Sequence, residues 1–251
     1  MEHRNWIAPT LLGVSLVALW WFVSTTGVVD SAFLPTPQGV VRRLVSGLQA
    51  GYLLDSLWIT LGEALLGCLA AAIIGIPIGY GIAHSRVLAA SLEPYLAASQ
   101  AIPAVAIAPL LVLWVGRGTL PIVILCTIMV IFPIVVSTAV GIRQIDPDVI
   151  GAARLDGANG YTMVRHIEMP MAAPNILAGL RTGFTLSITG AVVGEMIVGG
   201  SGLAMQLVSA QGRNDVTGMF AVITLLAFFA IVIYVLLRAA EVRVVAAVSP
   251  R

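Results

Sequence analysis

Lysine is absent from this 251-residue chain: all 13 of its Lys-or-Arg positions are arginine. A phosphate-gripping loop of the G-x-x-x-x-G-K-[ST] kind sets its lysine on the β and γ phosphates, so the chain carries no ATP site of that kind. Charge of either sign is scarce, 10% of residues against about a quarter in a soluble domain. That is too little polar side chain to cover a water-exposed surface. The formal net charge of +1 excludes the basic face that a nucleic-acid partner requires. The two cysteines, Cys68 and Cys126, each sit in an apolar run with no C-x-x-C spacing, which excludes a redox pair or a zinc site of that pattern. His3, His84 and His166 share no metal-ligand spacing, and His84 and His166 read as surface residues.

What the chain has instead is apolar length. Hydrophobic residues make up 59% of it and the mean hydropathy is +1.01. A helix rising about 1.5 Å per residue needs about 20 apolar residues to cross a hydrocarbon core about 30 Å thick. The stretches Trp6 to Val29, Leu57 to Ala83, Tyr95 to Val115, Thr119 to Ile142, Ile176 to Val198 and Thr217 to Leu237 qualify. The sequence therefore predicts an all-α polytopic membrane protein with six transmembrane helices. The uncharged run of the first stretch is longer than the core of a secretory signal, so it reads as a true span.

Arginine placement predicts the orientation. With the N-terminus inside, Arg4, Arg86, Arg143, Arg154, Arg165, Arg238, Arg243 and Arg251 lie on the inner side. Arg42, Arg43, Arg117 and Arg213 then lie outside. Both termini are expected in the cytoplasm. The organisation that follows is an N-terminal helix plus an outer interfacial segment over 1–56, a transmembrane domain over 57–240 and a cytoplasmic tail over 241–251. Within 1–56, Pro35 and Pro37 stop a helix, and the stretch from Gly39 to Gln49 reads as amphipathic and interfacial.

The inner connection 143–175 is the most polar part of the chain. It reads Gly151-Ala152-Ala153-Arg154-Leu155-Asp156-Gly157-Ala158, and later Ile167-Glu168-Met169-Pro170. Ala152 and Ala153 allow close approach by a partner, Gly157 permits the left-handed backbone that ends a helix, and Pro170 is expected to break the chain before the fifth span. This spacing resembles the EAA loop of membrane subunits of bacterial ABC importers. Ala152, Ala153, Gly157, Ile167 and Pro170 match the pattern; Gly151 stands where that family has Glu, and Met169 where it has Leu. Asp156 and Ala158 lie within the same matched segment. The likeness extends through Ile102-Pro103, Ala108-Pro109-Leu110-Leu111 and Leu113-Trp114-Val115-Gly116. It continues through Asp146-Pro147, Ile176 to Arg181, Gly194-Glu195-Met196-Ile197 and Ser201-Gly202-Leu203. These segments look like permeases of the nitrate, sulfonate and taurine type.

The resemblance implies the transmembrane domain of a type I importer in the bacterial inner membrane. Two copies of an ATPase subunit would bind the 143–175 loop, and a periplasmic or lipid-anchored solute-binding protein would deliver solute. A second permease copy would complete a homodimer within the membrane lipid. No cofactor is expected in this chain, because ATP and Mg would sit in the ATPase subunits.

Glu63 and Glu195 are ionisable residues inside spans, which makes them functional candidates. With Pro103, Trp114 and Ser187 they form the expected translocation pathway. Glu63 stands in Thr60-Leu61-Gly62-Glu63 where sulfonate and taurine permeases tend to show Arg. The Glu form looks like permeases for thiamine-precursor pyrimidines or riboflavin, and a carboxylate in low dielectric repels an anionic solute. A heterocycle of that type is the expected substrate, with sulfonate, taurine or nitrate as alternatives. Two further readings compete: a proton-coupled secondary transporter using Glu63 and Glu195, and an intramembrane serine protease suggested by Gly199-Gly200-Ser201-Gly202. The protease needs a histidine base in a later span, and the last span has none.

Overall fold

A computed structural model describes residues 7–27 and 29–248. Arg4, Trp6 and Arg251, on which part of the span and orientation reading rests, lie outside the described residues. The described residues form the helices α1 (Ile7–Thr25), α2 (Pro37–Gln49), α3 (Tyr52–His84), α4 (Arg86–Ala101) and α5 (Ala104–Val115). They continue as α6 (Thr119–Arg143), α7 (Pro147–Leu155), α8 (Gly160–Met163), a π-helical turn (Val164–Glu168), α9 (Met169–Val198), α10 (Leu203–Gly212) and α11 (Val216–Val248). Among the described residues there is no strand.

Four helical stretches are long and apolar enough to cross a membrane alone: Tyr52–His84, Thr119–Arg143, Gly160–Val198 and Val216–Val245. The expected span from Tyr95 to Val115 is sharply bent. It is a broken pair, α4 and α5, meeting at 99°, and counting the pair as one span gives five. Pro103 precedes the first residue of α5, and a residue before proline is driven out of helical backbone, so the chain turns at Ile102. Within α1, the stretch Thr10–Thr25 is a shorter apolar helix. Its Leu11, Leu12, Val14 and Phe22 are all exposed, as a lipid-facing surface requires.

The chain divides into two compact units. One comprises residues up to 58 and 201–228. In it, amphipathic α2 starts at Thr36, whose hydroxyl accepts from the Gly39 N–H at 3.2 Å, with Pro37 in the first turn where a missing N–H costs nothing. The Trp20 indole donates to the Pro35 carbonyl at 3.0 Å and stacks on Phe220 at 5.9 Å. Arg43 on α2 pairs with Asp215 at 2.6 Å.

Burial pushes the Asp215 carboxyl up, but the Gly218 N–H, Arg43 and Arg213 together outweigh it and hold it below the ordinary value. A depressed carboxylate contributes stability that is present above its unfolded value and lost as pH falls through the folded one. Asp215→Asn is therefore expected to loosen α2 at pH 7 by about 0.2–1 kcal/mol, the range for a partly exposed pair. At acid pH the native chain and the variant should converge. Hydrogen exchange over 37–49 reads this; a variant as protected as the native chain at pH 7 rules the tether out.

The other unit comprises 59–200 and 229–251, and its core is α6 against α9 and α3. Glycines make the close approach possible. On α9, Gly179 faces Ser137 and the Pro133 carbonyl, Gly183 faces Val130, Gly190 faces Met129 and Cys126, and Gly194 faces Ile122. On α3, Gly75 faces Ile134 and Val135, and Gly79 faces the Val135 carbonyl and Thr138. Small residues let helix backbones approach in lipid, where apolar surface alone drives no association. At one end of this unit Arg181 pairs with Glu241 at 3.0 Å and lies over the Tyr234 ring.

Candidate functional site

The loop matched by the importer motif is mostly helical. Asp146 caps α7 by accepting from the Asp148 N–H at 2.9 Å, with Pro147 in the first turn. At the other end Gly157 takes φ +86°. Its N–H donates to Arg154 O at 3.1 Å, and the Ala158 N–H donates to Ala153 O at 2.9 Å. Those two bonds are the paired closure that a left-handed glycine allows. A helix of nine residues is thus defined at both ends by its own sequence.

Its residues divide by exposure. Gly151, Ala152, Asp156 and Gly157 are exposed, Ala153 is buried, and Ala158, Ile167 and Met169 are half-buried. Leu155 is 91% exposed and Tyr161 70%, and neither was singled out by the motif. The space around Gly151 is open, since a Cβ there would meet nothing within 4 Å. Pro170 does not break the chain as expected. It lies inside the continuous helical stretch Gly160–Val198, directly after the π-helical turn, so the helix begins well before Ile176 and the polar connection is shorter than 143–175. Arg181 is accordingly well inside the helix.

Three side chains from two distant parts of the unit's sequence meet at this loop. Glu168, 6% exposed, accepts from the Tyr80 hydroxyl at 2.6 Å through Oε2, and its Oε1 faces His84 Nε2 at 3.0 Å. His84 Nδ1 lies 3.1 Å from the Tyr80 carbonyl. His84 is exposed, as expected of a surface residue, and it also joins the terminus of α3 to the loop. Open cavities of about 530 and 370 Å³ flank the cluster, and both are lined by His84, Arg154 and Glu168. The motif could not flag Glu168, which occupies its unspecified position.

The pathway candidates fall in two places. Glu195 and Ser187 are fully buried, and Glu63 is 4% exposed. Thr60 donates to Glu195 Oε1 at 2.5 Å and Ser187 to Ala64 O at 2.7 Å. Glu63 is hydrogen-bonded to Glu195 and to Thr119. A hydrogen bond between two carboxyl groups needs a proton on one of them, so the pair carries at most one negative charge while it is made. Trp114, 70% exposed, and Pro103 stand toward the two ends of α5. Among the described residues no group of three or more His, Cys, Asp or Glu is placed to hold a metal.

Residues 71–246 match the family described as binding-protein-dependent transport system inner membrane component. The chain belongs to that family. It is 39% identical to the riboflavin transport system permease protein RibX of Chloroflexus aurantiacus, over 94% of this chain and 89% of the relative. It is 31% identical to the taurine transport system permease protein TauC of Escherichia coli, over 85% and 80%. The putative aliphatic sulfonates permease SsuC of Bacillus subtilis is 29% identical over 90% and 82%. The fold is that of a chain in the inward-facing MetNI methionine ABC transporter, with TM-score 0.67 over 80% of this chain and 98% of that one at 20% identity.

This permease subunit is a multi-pass inner-membrane protein and not itself an enzyme. Permeases of this family work with separate ATPase and binding-protein subunits, and ATP hydrolysis belongs to the former. Membership replaces the gradient-driven transporter and the intramembrane protease as readings of the chain.

Proposed function

We propose that two copies of this chain form the translocation pathway of an ATP-driven importer, with both termini in the cytoplasm and α7 seated on an ATPase subunit. ATP and Mg bind in the two ATPase copies, and a binding protein, periplasmic or lipid-anchored, docks at the opposite face. The observation that carries this reading is α7 itself: capped at both ends, exposed along Gly151 and Ala152, and ending in a leucine 91% exposed. Gly151 and Ala152 stand four and three residues before Leu155 and so share its face of α7, which leaves room for a partner surface to cover the leucine. The second copy covers the bend at Ile102 and Pro103, because irregular backbone at membrane depth is tolerated only against protein or a water-filled cavity.

The proposed solute is a neutral or cationic heterocycle of the riboflavin or thiamine-precursor pyrimidine type. Identity of 39% with a riboflavin permease supports it, as does the acid at Glu63. Glu63, Glu195, Ser187, Pro103 and Trp114 remain the proposed pathway residues.

The test is co-expression with candidate ATPase subunits, followed by co-purification and ATP hydrolysis. Leu155→Asp is expected to cut ATPase retention at least tenfold, since a charge at a docking centre costs about 2 kcal/mol or more. Gly151→Glu, placed in open space, restores the family's residue and is expected to raise retention. Equal retention by the native chain and Leu155→Asp removes α7 from the ATPase contact.

A further inference from the structure

We infer that Tyr80, His84 and Glu168 form a proton-dependent latch fastening the coupling loop to the end of α3. The inference rests on the reading of that loop as the ATPase contact only for its consequence, not for its geometry.

The two ring nitrogens of His84 face two acceptors. His84 Nδ1 lies 3.1 Å from a backbone carbonyl, which only accepts, so making that bond takes a hydrogen on Nδ1. In a neutral imidazole the other nitrogen then has a bare lone pair, and here that nitrogen points at a carboxylate oxygen 3.0 Å away. Two lone pairs do not bond. Making both contacts at once therefore takes an additional proton, on Nε2 of an imidazolium or on Glu168 Oε1. The second oxygen of Glu168 is already occupied as acceptor of the Tyr80 hydroxyl. Loss of that proton to water leaves His84 able to satisfy either the Tyr80 carbonyl or Glu168, but not both.

The surrounding charges come from each neighbouring element. Arg154 on α7 lines both cavities with His84 and Glu168, and Arg143 on α6 lines one of them. Arg143 is itself engaged, donating to the Ile82 carbonyl at 3.0 Å and facing Glu93 of α4 at 3.4 Å. With His84 charged, Glu168 is the carboxylate that balances it and the nearby arginines. With His84 neutral, the segment bearing Glu168 keeps only the Tyr80 bond to α3. That segment is a single π-helical turn, an element frequently found where a helix is adjusted for function. A latch there sets how firmly a movement of α7 is passed to the long helix α3.

Hydrogen exchange of the full chain in lipid nanodiscs tests this, with amide protection over 160–168 corrected for the intrinsic pH dependence of exchange. In the native chain protection is expected to fall about tenfold or more across the interval from about pH 5 to 8 in which imidazoles change charge; tenfold is near the low end for a hydrogen bond to a charged group. Glu168→Gln can donate its amide to a neutral His84, and it should hold the segment at every pH. His84→Gln, which cannot become charged, should also give a flat profile. Unchanged protection of α6 and α9 certifies that each variant is folded. A flat native profile, or a Glu168→Gln profile that follows the native one, overturns the latch. If the profile stands but ATPase retention ignores Leu155→Asp, the latch survives and the docking proposal falls. If ATPase retention depends on Leu155 but the native profile is flat, docking survives and the latch falls.

Discussion

Gly67→Ala is expected to lower the stability of the chain by about 1–3 kcal/mol, the cost of overpacking a close contact. Gly62→Ala, earlier on the same helix, should raise it by about 0.4–1 kcal/mol. The two positions share a helix and a residue type and differ only in what a methyl group would meet. At Gly62 nothing lies within 4 Å, so alanine brings only its better helix propensity and a less flexible unfolded chain. At Gly67 the new Cβ would run into the Cβ of Cys126, with the Val123 carbonyl at 3.2 Å and Ser187 Oγ at 3.3 Å. Cys126 is fully buried and its Cβ is fixed to the α6 backbone, so no rotamer relieves the clash and the helices must part. Parting them strains the Thr127 hydroxyl's contact with Gly67 O at 3.3 Å and the Ser187 bond to Ala64 O. Thermal unfolding in detergent reads both changes, at about 2–4 °C for each kcal/mol in a chain of this size. Equal shifts of the same sign for the two variants contradict the packing derived for α3 and α6.

The same glycines show what the sequence made legible. Gly75 and Gly79 stand at the spacing that marks close helix contact, and the structure puts both against α6. The four glycines of α9 serve the same α6 and stand in two pairs at that same spacing, Gly179 with Gly183 and Gly190 with Gly194, so they were equally open to that reading. Long apolar runs located α3, α6, α9 and α11 because span length follows from bilayer thickness. The same criterion ran through the bend at Ile102, since hydropathy is blind to backbone direction and only Pro103 hinted at it. In the loop, Gly157 announced its own helix end through the φ that glycine alone adopts freely. Pro170 misled, because a proline does not always end a helix: the helical stretch from Gly160 runs through it to Val198. The meeting of His84 with Glu168 was out of reach: it joins residues separated by a full crossing and return of the chain, and nothing local in either segment encodes the partner.

The second large effect is at Glu195, where two substitutions of similar volume should part company. Glu195→Leu removes the acceptor of the Thr60 hydroxyl and the hydrogen-bond partner of Glu63, in a site where Glu195 and Thr60 are fully buried. Each buried polar group deprived of its partner costs about 1–3 kcal/mol, so the leucine variant is expected to unfold well below the native chain. Glu195→Gln keeps an oxygen for Thr60 and gains an amide that donates to the Glu63 carboxylate. That hydrogen bond needs no shared proton, and this variant should stay within about 1 kcal/mol of native, the net scale of a single hydrogen bond. Thermal unfolding of the two variants side by side reads the difference, and solute uptake adds the functional half. If glutamine preserves both folding and uptake, the pair's work is to satisfy buried hydrogen bonds between α3 and α9. If glutamine preserves folding but stops uptake, the acid itself acts on the solute or on the opening of the pathway, as proposed for Glu63 and Glu195. A leucine variant as stable as the glutamine variant contradicts the structural account, because a buried carboxyl pair that can be cut without cost is not holding those helices together.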